Sequence, residues 1–475
     1  MIAEMQAPPL TPPIVLTVAG EITIDADMPL ALRCAIIEAL TLDNPLFLES
    51  EQRGRDTRDL EPELCYYRHA PDGGLVVPRG AGRLVQALCA EHDMVCEIVD
   101  ATHAAPPATF EERVTLSPAQ ERAVGQVLAR RIGVLEAPAG SGKTIMAMAL
   151  IARRQQPALI IVHTKELAHQ AIARAVAVLG LDEAEIGLVG DGCATIGQRL
   201  TVGLVQSLAR GIPPALLDVG HVIVDEAHHA PAALCAAVVS QFPARFVTGL
   251  TATPFRRDKL DAVIAWYVGE IVARIDKADL ADRLITPRII KRDTALHPMG
   301  DSFAEIVSDL VAMRARNALI VEDVAWAVAD GRRCLVLSER VSHVEELTRL
   351  LQKRGITTAA LHGQLGKGVR ARVVEDLAAG ELAVVVATIS LIAEGFDAPR
   401  LDALFLTTPM SYGGRVVQAI GRISRTAPGK EDAIVVDYTD DNRLLWATWR
   451  NRKGVYEDQG AEIHPPSGHT RPWAS

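Results

Sequence analysis

Short unbroken runs of apolar residues, each followed by a longer stretch with apolar positions three and four apart, recur along most of this chain. Such runs read as strands buried on both faces, and the stretches between them as helices laid over a parallel sheet. Between Ser117 and about residue 275 the predicted strands are 133–136, 158–163, 203–205, 222–224 and 245–249, with helices after Gly142 and Thr164. A second series, 333–337, 357–360, 382–387, 403–407 and 432–437, falls within residues 310–455. Residues 1–105 have a different grain. They predict a strand at 17–25, a helix at 29–41, a segment 60–67 leading to Gly73-Gly74, a strand at 75–77 and a helix at 80–91. The proline-bearing stretch 104–108 separates this part from the next. The expectation is an α/β chain with an α+β accessory domain over 1–105 and two helix-covered parallel sheets over 113–275 and 276–455. A tail rich in Pro, Gly and Ser, 456–475, is expected to be flexible.

Composition changes this picture in a few places. A length of 475 residues suits about three domains of ordinary size. Half of the chain is apolar, yet no run is long enough to span a bilayer, and the start, Met1-Ile2-Ala3-Glu4, is unlike a secretory signal. A cytoplasmic protein with no membrane partner is expected. Cys34, Cys65, Cys89, Cys96, Cys193, Cys235 and Cys334 include no close pair, which predicts mostly buried thiols rather than zinc ligands or disulfides. The net charge of −10 speaks against a passive binder coated in basic surface, and less against a motor whose grooves alone are basic.

Two short stretches carry the chemistry. The first, Ala137-Pro138-Ala139-Gly140-Ser141-Gly142-Lys143-Thr144, lies between a predicted strand and a predicted helix. A glycine-rich turn in that place aims backbone N–H groups into one concavity, where a triphosphate can sit at the helix N-terminus. Lys143 would meet the β- and γ-phosphates, and Thr144 would offer a hydroxyl to Mg²⁺. The second stretch, Asp225-Glu226-Ala227-His228, follows the predicted strand 222–224. Asp225 is placed to hold the same ion and Glu226 to polarise the attacking water. Together they predict binding and hydrolysis of ATP with Mg²⁺. His228 and His229 have no third ligand at suitable spacing, so a metal centre there is not expected.

With those stretches in place, the chain resembles the superfamily 2 helicases and translocases through most of residues 113–440. Gln120 stands where that family reads adenine, and Val162 to Gln170, holding Thr164 and Lys165, resembles a segment gripping the nucleic-acid backbone. Leu204-Val205-Gln206-Ser207-Leu208 resembles a second such segment. Thr248 to Pro254, with Thr251 and Thr253, resembles the motif that couples the nucleotide to movement, with His228 as a hydrogen-bond partner. Further on, His362, Gly363 and Thr388 match strand-contacting segments, while Gly395 and Asp397 match a cleft-lining one. Gln418, Gly421, Arg422 and Arg425 match the family's Q-x-x-G-R-x-x-R helix. Ala137 in place of an opening glycine, and His163-Thr164-Lys165 in place of Pro-Thr-Arg, are its departures. The resemblance implies two RecA-like P-loop lobes with ATP in the cleft between them, and a contribution from Ala139, Gly140, Ser141 and Gly142 to the phosphate cradle.

Arg422 and Arg425, three apart, would share one helical face and could neutralise charge developing on the γ-phosphoryl group. Helix starts after Thr164, Ser207 and Thr388 could each hold a phosphate, and the cationic stretch 256–259 could add to them. Aromatic residues make up only 4% of the chain, which favours tracking a backbone over stacking on bases. Likeness is greatest to the transcription-repair, phage and restriction-associated branch. It implies an ATP-dependent DNA helicase or double-strand translocase of 3′–5′ polarity, whose first domain engages DNA. A nuclease or repair partner would fit, since no nuclease motif is readable. RNA is the competing substrate because phosphate contacts dominate in either case. A third alternative is an ATP-gated remodelling protein that never separates strands.

Overall fold

A computed structural model gives the architecture and describes residues 12–52, 54–138, 140–226, 232–252, 261–280, 284–300, 302–389, 400–410, 413–458, 460–465 and 471–473. Of the residues singled out above, Ala139, His228, His229, Thr253, the stretch 256–259, Gly395, Asp397 and the side chain of Gln418 lie outside those described. The chain divides into two compact units near Ile275–Asp276.

The first unit contains two large sheets and a two-stranded pair, Thr41–Asp43 with Glu63–Cys65. Its eight-stranded sheet has the order Cys193–Ala194, Ile186–Gly190, Leu200–Leu204, Ala158–Val162, His221–Val224, Phe246–Thr251, Ile132–Glu136 and Ile271–Arg274. Every pairing is parallel except the hairpin at the Cys193 edge. The central strands are mostly apolar and almost wholly buried because helices cover both faces. Register places Thr251 opposite Glu136 and Val224 opposite Ile161, so the ends of four neighbouring strands bring their following loops to one edge. Ligands collect at that carboxyl edge in open α/β sheets.

The smaller sheet is built from Arg68–His69, Leu75–Pro78, Glu21–Ile24, Ile14–Val18 and Cys96–Asp100, in that order. The helices Leu30–Ala39 and Gly82–Glu91 cover it through Leu32, Ile36, Val85 and Cys89. The single strand expected at 17–25 is instead a hairpin, Ile14–Val18 paired antiparallel with Glu21–Ile24. Gly20 lies in its turn, and a Cβ there would come within 2.2 Å of the Ser240 carbonyl oxygen. That close approach is what two consecutive apolar stretches could not reveal.

Rather than hanging from the 104–108 linker, this smaller sheet lies against the larger one. Arg79, buried, donates from its two terminal nitrogens to the carbonyls of Ala244 (2.5 Å) and Arg245 (3.0 Å). Burial pulls its pKa down to about 10. The His103 N–H donates to Pro243 O at 2.6 Å, and Arg245 N–H returns a bond to His103 O at 2.8 Å. The Tyr66 ring packs 5.2 Å from that of Trp266. The end of the linker and the residues beyond it are pinned as well, with Ala108 N–H donating to Gln155 O and Arg113 N–H to Val178 O.

Deleting residues 1–109 is therefore expected to lower the melting temperature markedly. The four stripped carbonyls, of Gln155, Pro243, Ala244 and Arg245, and the unpaired Arg245 N–H each lose about 1 kcal/mol, and Trp266 is uncovered. At about 2–4 °C per kcal/mol, the drop should be about 10 °C or more. Thermal unfolding by circular dichroism measures it. A fragment melting within about 3 °C of the full chain would show that this contact contributes no stability.

The second unit is one fully parallel seven-stranded sheet, in the order Thr358–Leu361, Val384–Thr388, Cys334–Ser338, Ala403–Leu406, Ile434–Thr439, Arg288–Asp293 and Ile463–His464. Apolar clusters occupy both of its faces. Buried arginines fasten its carboxyl edge. Arg316 pairs with Asp440 at 2.9 Å and donates to Thr407 O at 2.6 Å. Arg452 pairs with Asp437 at 2.8 Å and donates to Met410 O at 3.2 Å, while the Tyr456 hydroxyl donates to Asp437 at 2.6 Å. Such pairs, satisfied on every side, cost little while intact and much when one partner is removed.

The flexible tail expected over 456–475 needs correction. The helix Arg443–Asp458 runs into it, Ile463 and His464 pair with Ile289 and Ile290, and Trp473 is buried beside Phe405 with its indole N–H donating to Asp330 at 3.1 Å. Two apolar residues among prolines and glycines are enough to anchor it. No helix among the described residues is long and apolar enough to cross a membrane.

Candidate active site

The loop after Ile132–Glu136 is shaped by its glycines. Gly140 (φ +85°) and Gly142 (φ +87°) both hold left-handed backbone conformations, and a Cβ on Gly142 would lie 2.6 Å from Gln120 Nε2. Helix Lys143–Arg154 starts at once, with no side chain capping its first turn. Its leading N–H groups are thus left for a ligand, as in an anion cradle. Gln120 is buried on the neighbouring helix Pro118–Leu128, where its side-chain oxygen accepts from Ser117 N–H (2.9 Å) in a capping box. The remaining amide end borders the loop at Gly142.

The acidic pair meets this loop directly. Strand His221–Val224 ends, Asp225 N–H donates to Ile161 O (2.9 Å), and Glu226 turns sharply at φ +50°. A non-glycine residue in that region is strained, and the strain points its carboxylate at Lys143, with Nζ to Oε1 at 3.5 Å. Lys143 Nζ also donates to Ala137 O at 3.2 Å. Asp225 stands beside them with its carboxyl pushed up to about 7 by burial and then by the adjacent Glu226 charge, Lys143 offsetting part of this. Two carboxylates sharing one lysine leave room for more positive charge. The oxygen donors Asp225 and Thr144, the latter half-buried next to Lys143, suit a hard divalent cation. The strand Phe246–Thr251 touches the same loop: Thr251 is fully buried, and its carbonyl accepts from Ala137 N–H at 2.9 Å.

A second concavity of about 450 Å³ lies at the same sheet edge and is lined by Thr164, Lys165, Gln206 and Ser207. Thr164 caps helix Lys165–Leu179 by accepting from Leu167 N–H (3.3 Å), and Gln206 donates to His163 O (3.0 Å). Ser207 does not begin a helix as expected. It sits inside the single turn Val205–Leu208, because the strand before it ends at Leu204, one residue earlier than the sequence suggests. Sequence reasoning missed Arg210 and Asp191, which complete the wall. Asp191 holds Lys165 at 2.6 Å and His169 at 3.3 Å, in a turn between Gly190 and Gly192, both at positive φ. The turn signature Gly190-Asp191-Gly192 was the available clue.

In the second unit, His362 is buried after strand Thr358–Leu361, its Nε2 lying 3.8 Å from Glu345, with Gly363 next to it. Thr388 closes its strand with a buried hydroxyl that has no hydrogen-bond partner among the described residues. The arginine pair departs from expectation. Helix Gly413–Ile423 carries Gln418 and Arg422 but ends before Arg425. Ser424 bonds back to Ile420 O through its hydroxyl (2.9 Å), and the chain then leaves to pair Arg425 with Leu284 and to accept Ile285 N–H at Ser424 O (2.6 Å). Arg422 and Arg425 therefore do not share a helical face. Both are half-buried.

Among the described residues no group of His, Cys, Asp and Glu could hold a metal ion by itself. Comparison with known proteins agrees with this geometry. The type III restriction enzyme res-subunit family matches residues 113–256, and the helicase conserved C-terminal domain matches residues 316–427. A probable helicase of Escherichia phage T5 is 25% identical over 330 residues, covering 69% of this chain and 72% of its own length. A putative mitochondrial ATP-dependent helicase of Schizosaccharomyces pombe is 30% identical over 338 residues, covering 66% of this chain and 55% of its own. The chain thus spans about half to three quarters of the length of these relatives. Among solved structures, S. cerevisiae Dbp5 bound to RNA and ADP BeF3 superposes with a TM-score of 0.57 at 16% identity, covering 74% of this chain and 90% of that one. Two RecA-like sheets and both helicase domains in order establish that the chain belongs to the superfamily 2 helicases, a family of ATP-hydrolysing enzymes, in the branch of the restriction-type and phage helicases.

Proposed function

We propose that this chain is an ATP-dependent motor that moves along the backbone of DNA, as a helicase or double-strand translocase with 3′–5′ polarity. The observation that carries the reading is the meeting of Lys143 and Glu226 at 3.5 Å, beside Asp225, at the mouth of a loop bent by two left-handed glycines. In this reading Gln120 recognises adenine, and Gly140 to Gly142 with Ala139 cradle the phosphates. Lys143 neutralises them, Thr144 and Asp225 hold Mg²⁺, and Glu226 orients water. From the second unit, Arg422 and Arg425 supply positive charge to the γ-phosphoryl group, with Gln418, Gly395 and Asp397 completing the nucleotide site. Thr251, Thr253 and His228 couple that site to the concavity of Thr164, Lys165, Gln206 and Ser207. His362, Gly363 and Thr388 hold the strand from the other unit. The domain of residues 1–105 is read as choosing which DNA structure is engaged, and its docking on the first large sheet would fix that choice in space. A nuclease or repair partner would supply any cleavage.

The match to a restriction-enzyme subunit family supports DNA, whereas the likeness to Dbp5 keeps RNA as the alternative outcome. Steady-state ATPase with no nucleic acid, single-stranded DNA, duplex, forked DNA and RNA separates them. Stimulation by RNA alone would refute the DNA reading. Because backbone contacts carry the binding, stimulation should be insensitive to sequence and sensitive to salt. With about three or four phosphates neutralised, apparent affinity should fall roughly 10- to 100-fold between about 50 and 200 mM salt. A strong preference for one short sequence would contradict backbone tracking.

A further inference from the structure

Past the arginine helix the chain makes a loop, and the side chain of Lys430 turns back underneath it. Its Nζ donates to three main-chain carbonyls: Ile423 O at 2.5 Å, Leu401 O at 2.6 Å and Arg425 O at 2.8 Å. Ile423 is the last residue of the helix that carries Arg422, Arg425 is the other arginine of the pair, and Leu401 leads into the central strand Ala403–Leu406. One ammonium has three N–H donors, so all three acceptors can be served only while the nitrogen is charged. The same group answers two needs: it caps the helix's last carbonyl, and it ties the backbone of Arg425 to the sheet.

We propose that Lys430 is a positioning residue for ATP turnover, setting the orientation of the turn from which Arg425 projects. This rests on the assignment of Arg425 to the γ-phosphoryl group. The opposite end of the helix is held in the same manner, since Arg452 donates to Met410 O just before it. The arginine helix is therefore referenced to the sheet at both ends, and Lys430 is the contact nearer the chemistry. Its effect should be on the transition state, because charge aimed at a developing charge loses most of its value when displaced by an ångström.

The charge of Lys430 can also be removed by pH. The groups that face it are Asp402 and Asp432, which favour the ammonium, and Arg425, which opposes it. Asp402 is occupied by Arg333 N–H (2.8 Å), and Asp432 by Arg332 (2.9 Å) and Arg288 (3.0 Å). Burial outweighs the acids and brings the lysine down to about 8. Raising the pH through that value leaves two N–H donors and a lone pair for three carbonyls. Turnover should then decline with the loss of the proton.

The test uses the full chain at saturating ATP and single-stranded DNA, with Lys430→Met, Lys430→Arg and, as reference, Arg425→Ala. Lys430→Met is expected to lower kcat by at least about tenfold at neutral pH while KM for ATP stays within about twofold. Lys430→Arg keeps its charge at all accessible pH and should restore most of the turnover. It should also lack the alkaline decline expected of the natural protein near pH 8. Lys430→Met turning over within about twofold of the natural protein, while Arg425→Ala is inactive, overturns the proposal alone. Natural-level turnover in Arg425→Ala overturns the underlying assignment and the proposal with it. Should Lys430→Met fail to fold, the pH profiles decide. The same alkaline decline in the natural protein and in Lys430→Arg overturns the proposal, and its absence only in Lys430→Arg supports it.

Discussion

Glu226→Gln is expected to bind ATP about as well as the natural protein and to turn it over at least about 10²-fold more slowly, the usual scale for losing a positioned proton acceptor. The substitution keeps shape and hydrogen-bonding capacity but removes the charge that faces Lys143 at 3.5 Å. It also removes the neighbouring charge that lifts the Asp225 carboxyl, so the proposed ligation of Mg²⁺ by Asp225 and Thr144 should be left intact or eased. Lys143→Ala should behave differently. It takes away the cation that the phosphates would meet and that both carboxylates share, so affinity and turnover should fall together. A fluorescent ATP analogue measures binding, and a single-turnover assay measures hydrolysis, each on both variants. If Glu226→Gln hydrolyses ATP within about threefold of the natural rate, the water-orienting role is wrong. If Lys143→Ala binds ATP normally, the loop is not the phosphate cradle.

What could be read from the sequence was whatever the chemistry fixes locally. A glycine loop between a buried strand and a helix must be continuous in the chain, so Ala137 to Thr144 announced itself. An acidic pair at a strand end needs only its own apolar run, so Asp225 and Glu226 did too. The parallel sheets were legible because strands covered on both faces are almost entirely apolar, as in Ala158–Val162 and Val384–Thr388. Strands with mixed faces were not: Arg288–Asp293 carries Arg288, Lys291, Arg292 and Asp293, and was missed. Contacts made to main-chain carbonyls leave no trace in residue type, which is why Arg79 and Lys430 went unnoticed. Spacing was misleading once. Two arginines three apart suggest a common face, but the helix ends at Ile423 because the chain ahead pairs with Leu284 and Ile285. That pairing spans more than a hundred positions, and no local pattern reports it.

The departure of Arg425 from the helix sharpens the largest rate effect expected here. Arg425→Ala should lower kcat by about 10³-fold or more, within the range seen when an arginine finger is removed, and change KM for ATP by only a fewfold. An arginine fixed to a helix can move only with the helix, whereas Arg425 projects from a short turn whose backbone is held by Leu284 and Lys430. Such a turn offers one guanidinium a defined direction that Arg422, on the last turn of the helix, does not share. The two substitutions should therefore differ, with Arg422→Ala losing less turnover than Arg425→Ala. Arg425→Lys should recover little, since a point charge cannot reproduce a planar fork of N–H donors on phosphate oxygens. Steady-state ATPase with saturating single-stranded DNA gives kcat and KM for all three variants, and circular dichroism confirms that they fold. Natural turnover in Arg425→Ala with loss in Arg422→Ala would move the finger onto the helix. Natural turnover in both would mean that neither arginine reaches the reacting phosphate.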